Sequence, residues 1–352
     1  MASPQPNNAT TIVSNAEGKS SGGIISENPV SAGTKKTTKQ RMLSLMRIVI
    51  ALVLLISLSV SIDFSKIISS LLSADGLFIG VSLLLLIPNI YLQYMKWEIL
   101  CTSVLKEKHK KSILLSLLYG FSAGSVTPMR LGEYVGRRMA LKNSDMINVT
   151  AATMADKIFL MIVTYLFGLL SCILFMYFYT GIGIYIFFLL TALTVLVLGI
   201  MGLLIMYPGR VFYPVLGFLK RISFLRKYID GGYSDVIDVV KGINKMLRIR
   251  LSAISLLLYI CMMLQYCFLV AAFSHQWLPF DYILAGNLVV FSKTLLPFSF
   301  GDLGIRESAS VFFLTHMGVS AAVAFNASIF LFLINVFLPS VAGSVLLIRG
   351  NK

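Results

Sequence analysis

The stretch that decides the fold is residues 251–275, which read LSAISLLLYICMMLQYCFLVAAFSH and contain no Asp, Glu, Lys or Arg. A helix needs about 20 apolar residues to cross a bilayer, where it satisfies its own backbone hydrogen bonds. Comparable apolar runs recur along the chain, near residues 43–62, 77–95, 113–127, 149–178, 184–206, 282–297 and 321–348, with a shorter one at 308–316. A membrane β-barrel would instead alternate apolar and polar residues. The sequence therefore predicts an all-α, polytopic membrane protein with eight to nine hydrophobic segments.

Composition supports a membrane protein and argues against a nucleic-acid partner. Of the 352 residues 57% are hydrophobic and only 13% are charged, whereas soluble domains carry about 25% charged residues. The net charge of +15 comes from Lys and Arg residues that cluster in the joints beside the apolar runs. Such clusters set membrane topology and attract anionic headgroups. The four cysteines form no CxxC pair and the three histidines are scattered, so we expect no disulfide, no metal and no cofactor.

The distribution of basic residues predicts the orientation. Residues 35–47 and 96–111 contain five Lys or Arg each, and residues 207–250 contain nine. The joints at 179–183 and 276–281 contain none. Because cytoplasmic joints are enriched in Lys and Arg, both termini and the basic loop are predicted to be cytoplasmic. We expect the protein in a bacterial cytoplasmic membrane.

The chain divides into a tail and one membrane domain. Residues 1–38 are rich in Ser, Asn, Gly and Thr without apolar periodicity, which is typical of a disordered segment and here predicts a cytoplasmic tail. Residues 39–348 form the predicted transmembrane domain, which contains the basic cytoplasmic loop 207–250. Its two halves are predicted at 43–178 and 184–348.

Two of the apolar segments do not fit a simple crossing. Segment 113–127 has basic residues on both sides, in 96–111 and at Arg137 and Arg138, so a full crossing would place one basic group outside. A re-entrant hairpin removes the conflict, and the same reasoning applies to 282–316 on the uncharged, external side. We therefore predict six full spans and two re-entrant hairpins in an inverted repeat, a recurring plan of transporters.

Both predicted hairpins carry the spacing Pro-x-x-x-Gly-acid-x-x-x-Arg, with a hydroxyl residue three positions before each proline. The first copy is Ser125, Pro128, Gly132, Glu133 and Arg137, and the second is Thr294, Pro297, Gly301, Asp302 and Arg306. Pro and Gly interrupt a helix, which is tolerated at membrane depth where protein or water surrounds the break. The helix that starts after each break directs the positive end of its dipole at the gap.

These breaks are surrounded by candidate binding residues. The predicted headgroup site consists of Ser125, Pro128, Arg130, Gly132, Glu133, Arg137, Lys293, Thr294, Pro297, Gly301, Asp302, Arg306 and Glu307. Arg side chains suit phosphate or carboxylate, and the acids could pair with them or take up protons. Asp156 and Lys157 are predicted to serve in coupling, or else to occupy an ordinary position at the membrane interface. An alternative is that the acids and arginines only pair with one another and hold the hairpins together.

At TPMRLGEYVGR (127–137) and LGIRE (303–307) the chain resembles the lysylphosphatidylglycerol synthase transmembrane region family, also called flippase-like domain proteins. The resemblance extends over about residues 40–348. Some members place the first arginine one residue earlier, where this chain has Gly136, and many begin the second motif with Pro-Gly-Gly, where this chain has PFSFG (297–301). The resemblance implies that lipids or lipid-linked substrates are moved between leaflets. Bifunctional members add a soluble aminoacyl-transferase domain after the membrane part, so we do not expect these 352 residues to lysylate lipid.

The sequence and the resemblance together predict a lipid flippase or secondary transporter and not an enzyme. Its substrate would be an anionic lipid or lipid-linked molecule, whose headgroup binds between the two hairpin tips. No nucleotide-binding motif is present, so an ion gradient or the lipid gradient would drive movement. Two alternatives stay open, an intramembrane lipid-modifying enzyme that uses the same acids and a scaffold for a separate glycosyl- or acyl-transferase.

Overall fold

The computed structural model of the chain describes residues 62, 64–127, 130–141, 143–181, 183–206, 243–295 and 304–350. Within these residues the secondary structure is helical and contains no strand, which confirms the all-α prediction. The helices are α1 (Phe64–Leu72), α2 (Gly76–Leu84), α3 (Leu86–Ser103), α4 (Lys110–Ser125), α5 (Gly132–Ala140), α6 (Met146–Tyr179), α7 (Ile184–Met206), α8 (Lys245–Ser274), α9 (Pro279–Leu295), α10 (Ile305–His316), α11 (Ala321–Phe332) and α12 (Leu338–Gly350). The predicted tail 1–38, nearly all of the predicted span 43–62 and most of the loop 207–250 lie outside the described residues.

Four stretches among the described residues are long and apolar enough to cross a membrane. They are Gly76–Ser103, Met146–Tyr179, Lys245–Ser274 and Ala321–Arg349. The last one joins α11 to α12 through a π-helical turn, Leu333–Phe337. Each of the four coincides with a predicted apolar run, and the 23-residue helix α7 coincides with a fifth.

Local sequence signals fix where the long helices begin and end. The side chain of Asn244 accepts a hydrogen bond from the Leu247 N–H at 2.9 Å at the start of α8, and Ser320 caps α11 in the same way. Such side chains satisfy backbone donors that have no partner inside the helix. Helix α8 ends at Ser274 and is followed by His275, which adopts a left-handed conformation with φ of 54°.

Helix α8 lies at the centre of the molecule. It packs against α2, α3, α6, α9 and α11. Of the residues in its most apolar 18-residue stretch, 67% are buried inside the protein. Peripheral helices instead expose large apolar side chains, such as Tyr185 (87% exposed) and Leu189 (69%) of α7. Apolar surface of this extent needs an apolar surrounding, which a bilayer provides.

Two helical pairs pack against the long helices. Helices α4 and α5 form the first pair, and α9 and α10 form the second. Helix α4 also packs on α12, where the hydroxyl oxygens of Ser122 and Ser344 are 2.6 Å apart. Helix α9 packs on α6, where the Asn287 side-chain amide donates to the Ser171 hydroxyl at 2.9 Å. Each pair therefore contacts the last long helix of the opposite half. The re-entrant path of each pair and the number of membrane crossings stay predictions.

Candidate functional site

The first helical pair is held close by glycines. A Cβ atom on Gly132 would lie 2.1 Å from the backbone oxygen of Ala123, and one on Gly136 would lie 2.3 Å from that of Tyr119. Both distances are far below van der Waals contact, so only glycine lets α5 lie this close to α4. The Thr127 hydroxyl accepts the Gly132 N–H at 2.7 Å and joins the two helices at their turn. Gly132 of the predicted site is thus a packing residue.

Glu133 is the centre of a network of ion pairs. Its Oε1 accepts from Nη2 of Arg137 at 2.6 Å, and its Oε2 accepts from Nζ of Lys157 at 2.6 Å. Nε of Arg130 lies 3.8 Å from the same Oε2. Glu133 itself is only 4% exposed. One carboxylate therefore links a buried guanidinium to two further cations.

Arg137 ties the first helical pair to the rest of the protein. Its Nη2 also donates to Oδ2 of Asp156 on α6 at 2.9 Å. Its guanidinium carbon lies 4.1 Å above the ring of Trp97 on α3, a favourable cation–π arrangement. Arg137 is 2% exposed, and it holds α3, α5 and α6 together.

Lys96 completes this network, although sequence reasoning counted it with the basic joint at 96–111. The structure places it on α3 and 3% exposed. Its Nζ lies 3.0 Å from Oδ1 of Asp156 and donates to the backbone oxygen of the same residue at 3.0 Å. A buried charge of this kind is tolerated when it is paired. The signal available in the sequence is the apolar context on both sides of Lys96.

The second half contains a smaller cluster. Arg306 forms an ion pair with its neighbour Glu307, and its Nε donates to the Ser328 hydroxyl on α11 at 3.1 Å. Glu307 is fully buried, and its Oε2 accepts the Gly304 N–H at 2.7 Å, which caps α10. The Arg306 guanidinium lies 5.2 Å from the ring centre of Phe332. Glu307 therefore caps the start of α10 and also forms an ion pair with Arg306.

A cavity of about 260 Å³ is lined by residues of both helical pairs. Four cationic side chains line it, with Arg130 and Lys157 from the first half and Lys293 and Arg306 from the second. Thr294 is a further polar lining residue. Among the described residues that line the cavity, none is an Asp or a Glu. Nε of Arg130 is buried without a hydrogen-bond acceptor in the described part of the chain. The cavity is therefore a positively charged pocket inside the helical assembly.

The other predicted site residues lie elsewhere. Glu133, Arg137, Asp156 and Glu307 are in the ion-pair clusters behind the cavity wall. The hydroxyl of Ser125 donates to the backbone oxygen of Ser122 at 2.9 Å within α4. The residues of the predicted site that lie outside the described residues are Pro128, Pro297, Gly301 and Asp302.

Sequence reasoning missed an amide cluster at the same cavity. The side-chain oxygen of Gln265 on α8 accepts from Asn89 at 3.1 Å and from Asn335 at 3.0 Å, and its own amide donates to the Ser82 backbone oxygen at 3.1 Å. Asn89 and Asn335 both line the cavity, together with Gln93. Gln265 is fully buried. Isolated amides within long apolar runs are the signal that could have identified them, because lipid offers them no partner.

Comparison with known proteins identifies the family. In the part of the chain that the structure describes, His, Cys, Asp and Glu form no group of three that could hold a metal ion. No curated protein and no solved structure matches the chain. The sequence pattern of the family described as "Lysylphosphatidylglycerol synthase TM region" matches residues 44–343, most of the chain. The chain therefore belongs to the lysylphosphatidylglycerol synthase transmembrane region family and is an integral membrane protein with a lipid-related role.

Proposed function

We propose that this protein moves an anionic lipid or lipid-linked substrate between the two membrane leaflets and does not modify it chemically. The observation that carries the proposal is the cavity that receives cationic side chains from both halves of the chain, Arg130 and Lys157 from one and Lys293 and Arg306 from the other. The membrane family to which the chain belongs points to lipid as the substrate class.

The charge of the cavity favours an anionic headgroup. A charge inside a bilayer costs about 2.5–3.5 kcal/mol on insertion scales, so cations around a cavity at this depth are stabilised by anionic partners, and Glu307 supplies one to Arg306. Glu133 partly compensates Lys157 and Arg130 from behind the wall. The forked guanidinium groups of Arg130 and Arg306 suit a phosphate, which accepts several charge-assisted hydrogen bonds. The headgroup would occupy the cavity while its acyl chains stay in lipid.

The arrangement of the helical pairs supports transport by an inverted repeat. Each pair packs against the last long helix of the opposite half, which is the arrangement expected of two equivalent repeats. We propose that both are re-entrant hairpins, that six further helices cross the membrane and that both termini are cytoplasmic. Movement of one half against the other around a fixed site would expose the cavity to each leaflet in turn.

The proposal assigns different roles to the two sets of charged residues. Arg130, Lys157, Lys293 and Arg306 bind the headgroup, whereas Arg137, Asp156 and Lys96 hold the first helical pair in place. Glu133 connects the two sets, because its oxygens contact Arg137 on one side and Lys157 on the other. An ion gradient or the lipid gradient supplies the free energy.

Reconstitution into liposomes tests the proposal. A fluorescent phosphatidylglycerol placed in one leaflet should reach the other in the presence of the purified protein, and mass spectrometry should recover it unchanged. Empty liposomes, and liposomes with a neutral fluorescent phosphatidylcholine, serve as controls. Chemical conversion of the lipid would favour the intramembrane enzyme instead. Absence of movement for phosphatidylglycerol and for other anionic lipids or lipid-linked substrates would reject transport and favour the scaffold.

A further inference from the structure

An apolar groove of about 620 Å³ runs along the seam between α6 and α8. Its walls come from the middle of α6 and the first three turns of α8, and its apolar lining residues are Ile162, Val163, Leu166, Phe167, Ile249, Ala253 and Leu256. The described part of the lining adds one hydroxyl, that of Ser252. Two basic residues, Lys245 and Arg248, stand at the end where α8 begins. The groove is therefore apolar along its length and basic at one end.

The stretch of α8 that lines the groove matches one leaflet in length. From Lys245 to Leu256 a helix rises about 16 Å at 1.5 Å per residue, and half of a bilayer's hydrocarbon core is about 15 Å deep. Nη1 of Arg248 donates to the backbone oxygen of Ile243 at 2.6 Å, which holds this guanidinium at the start of the helix. A transmembrane helix of another protein would need a groove along the whole span. The depth, the apolar walls and the basic end fit an acyl chain that ends in an anionic headgroup.

The groove and the cationic cavity share the same pair of helices. Leu160 and Thr164 of α6 and Leu258 of α8 line the cavity, whereas neighbouring positions on both helices line the groove. Between them the ring of Phe167 stacks on that of Tyr259, with centroids 5.3 Å apart. A headgroup that leaves the basic end of the groove would therefore move along α8 and then cross the α6–α8 seam to reach the cavity.

We infer that the groove is the loading site for an anionic glycerophospholipid. One acyl chain lies along Ile249–Leu256, and the phosphate lies at Lys245 and Arg248, in the leaflet where α8 begins. The headgroup then moves between α6 and α8 into the cavity. The inferred lipid binding depends only on the groove, whereas the loading step rests on the proposed transport function.

Photocrosslinking tests the binding site in the full chain reconstituted in phosphatidylcholine vesicles. The probe is phosphatidylglycerol with a photoactivatable diazirine in one acyl chain, and labelled peptides are mapped by mass spectrometry. We expect labelling within 249–256 and 162–167, which Ala253→Trp should lower at least fivefold by filling the groove. The matched control is Leu257→Trp, at a position that is 53% exposed on α8 outside the groove. Labelling spread evenly over the exposed helices would overturn the site, as would protein–protein crosslinks of groove residues to a second copy.

The basic end and the loading step are tested separately. Lys245→Gln with Arg248→Gln should reduce labelling by the phosphatidylglycerol probe about tenfold more than labelling by a phosphatidylcholine probe, and Arg250→Gln should change neither. Ala253→Trp should also slow lipid movement severalfold. Normal movement without groove labelling would overturn the loading role. Groove labelling by a wild-type protein that moves no lipid would reject transport and loading together, and it would retain the lipid site.

Discussion

Glu133 offers its two carboxylate oxygens to different partners. Oε1 receives the buried Arg137, and Oε2 receives Lys157 and lies near Arg130, both of which line the cavity. An incoming phosphate would compete with Oε2 for these two cations without touching the contact to Arg137. At the scale of single residues, the structure thus separates Arg130, which lines the cavity, from Arg137, which does not.

The first prediction concerns Arg130. We expect Arg130→Gln to slow the movement of phosphatidylglycerol in liposomes about tenfold to a hundredfold, because a hydrogen bond to a charged group contributes about 1.5–3 kcal/mol. Arg130 has a side chain that is 28% exposed and an Nε without a hydrogen-bond acceptor among the described residues, so the melting temperature should stay within a few degrees of wild type. Lys108→Gln, in an exposed joint, is the control with the same charge change. Full transport by a stable Arg130→Gln protein would remove this residue from the site.

The second prediction concerns Arg137. Arg137→Gln should lower the free energy of unfolding in detergent by about 3 kcal/mol, because it removes two charge-assisted hydrogen bonds in a buried network. The double variant Glu133→Gln, Arg137→Gln should be more stable than the sum of the two single losses predicts, by about 1 kcal/mol or more. A double-mutant cycle with wild type as the reference measures this coupling. Strictly additive losses would show that the two side chains do not stabilise one another.

At the scale of elements, the first helical pair depends on how closely α5 approaches α4. Gly132 and Gly136 meet backbone oxygens of α4, and from the other side Gly120 and Gly124 meet the side chains of Arg137 and Glu133. The glycines therefore bring α5 close to α4 and at the same time leave room for the charged residues between them. The Gly of the first motif copy, Gly132, is explained by this packing.

The third prediction tests the packing with a pair of matched substitutions. Gly132→Ala should lower the free energy of unfolding by about 1–3 kcal/mol, since its Cβ would overlap the Ala123 backbone oxygen. Gly80→Ala, within α2, meets nothing within 4 Å, so it should be neutral or raise stability by up to about 1 kcal/mol through helix propensity. Thermal unfolding of both variants in the same detergent makes the comparison. Equal stability of the two would contradict the close approach of α5 to α4.

At the scale of the whole molecule, each helical pair packs against the opposite half of the chain, and residues of both pairs line one cavity. The long helices α6 and α8 separate that cavity from the apolar groove. Orientation in the membrane decides which leaflet each opening faces, and the distribution of Lys and Arg predicts it.

The fourth prediction concerns this orientation. In a variant without native cysteines, Thr180→Cys should react with a membrane-impermeant maleimide in intact cells, because the joint at 179–183 carries no basic residue and is predicted to be external. Lys108→Cys should react only after permeabilisation. Both positions are exposed in the structure, so accessibility differs only by side of the membrane. The opposite labelling pattern would contradict the predicted orientation and the inverted repeat that depends on it.

Much of the fold could be predicted from the sequence, because a helix in lipid satisfies its backbone hydrogen bonds within one continuous stretch of the chain. The run at 149–178 corresponds to α6 within three residues, and the run at 251–275 corresponds to α8 except that the helix begins six residues earlier, at Lys245. The predicted site residues Arg130, Lys293, Thr294 and Arg306 line one cavity. Lys96 and Gln265 could not be assigned, because their partners Asp156 and Asn335 lie 60 and 70 positions away in the chain.

The sequence by itself determined that the chain is helical, membrane-embedded and a member of its family, because apolar length, charge spacing and motif letters are properties of the linear chain. Only the tertiary structure decided which charges bind each other and which line the cavity. Arg130 and Arg137 stand seven positions apart in one motif, yet one lines the cavity and the other is 2% exposed behind it. The physical reason is that the burial and pairing of each arginine depend on its contacts with α3 and α6, and tertiary packing brings these helices next to the motif.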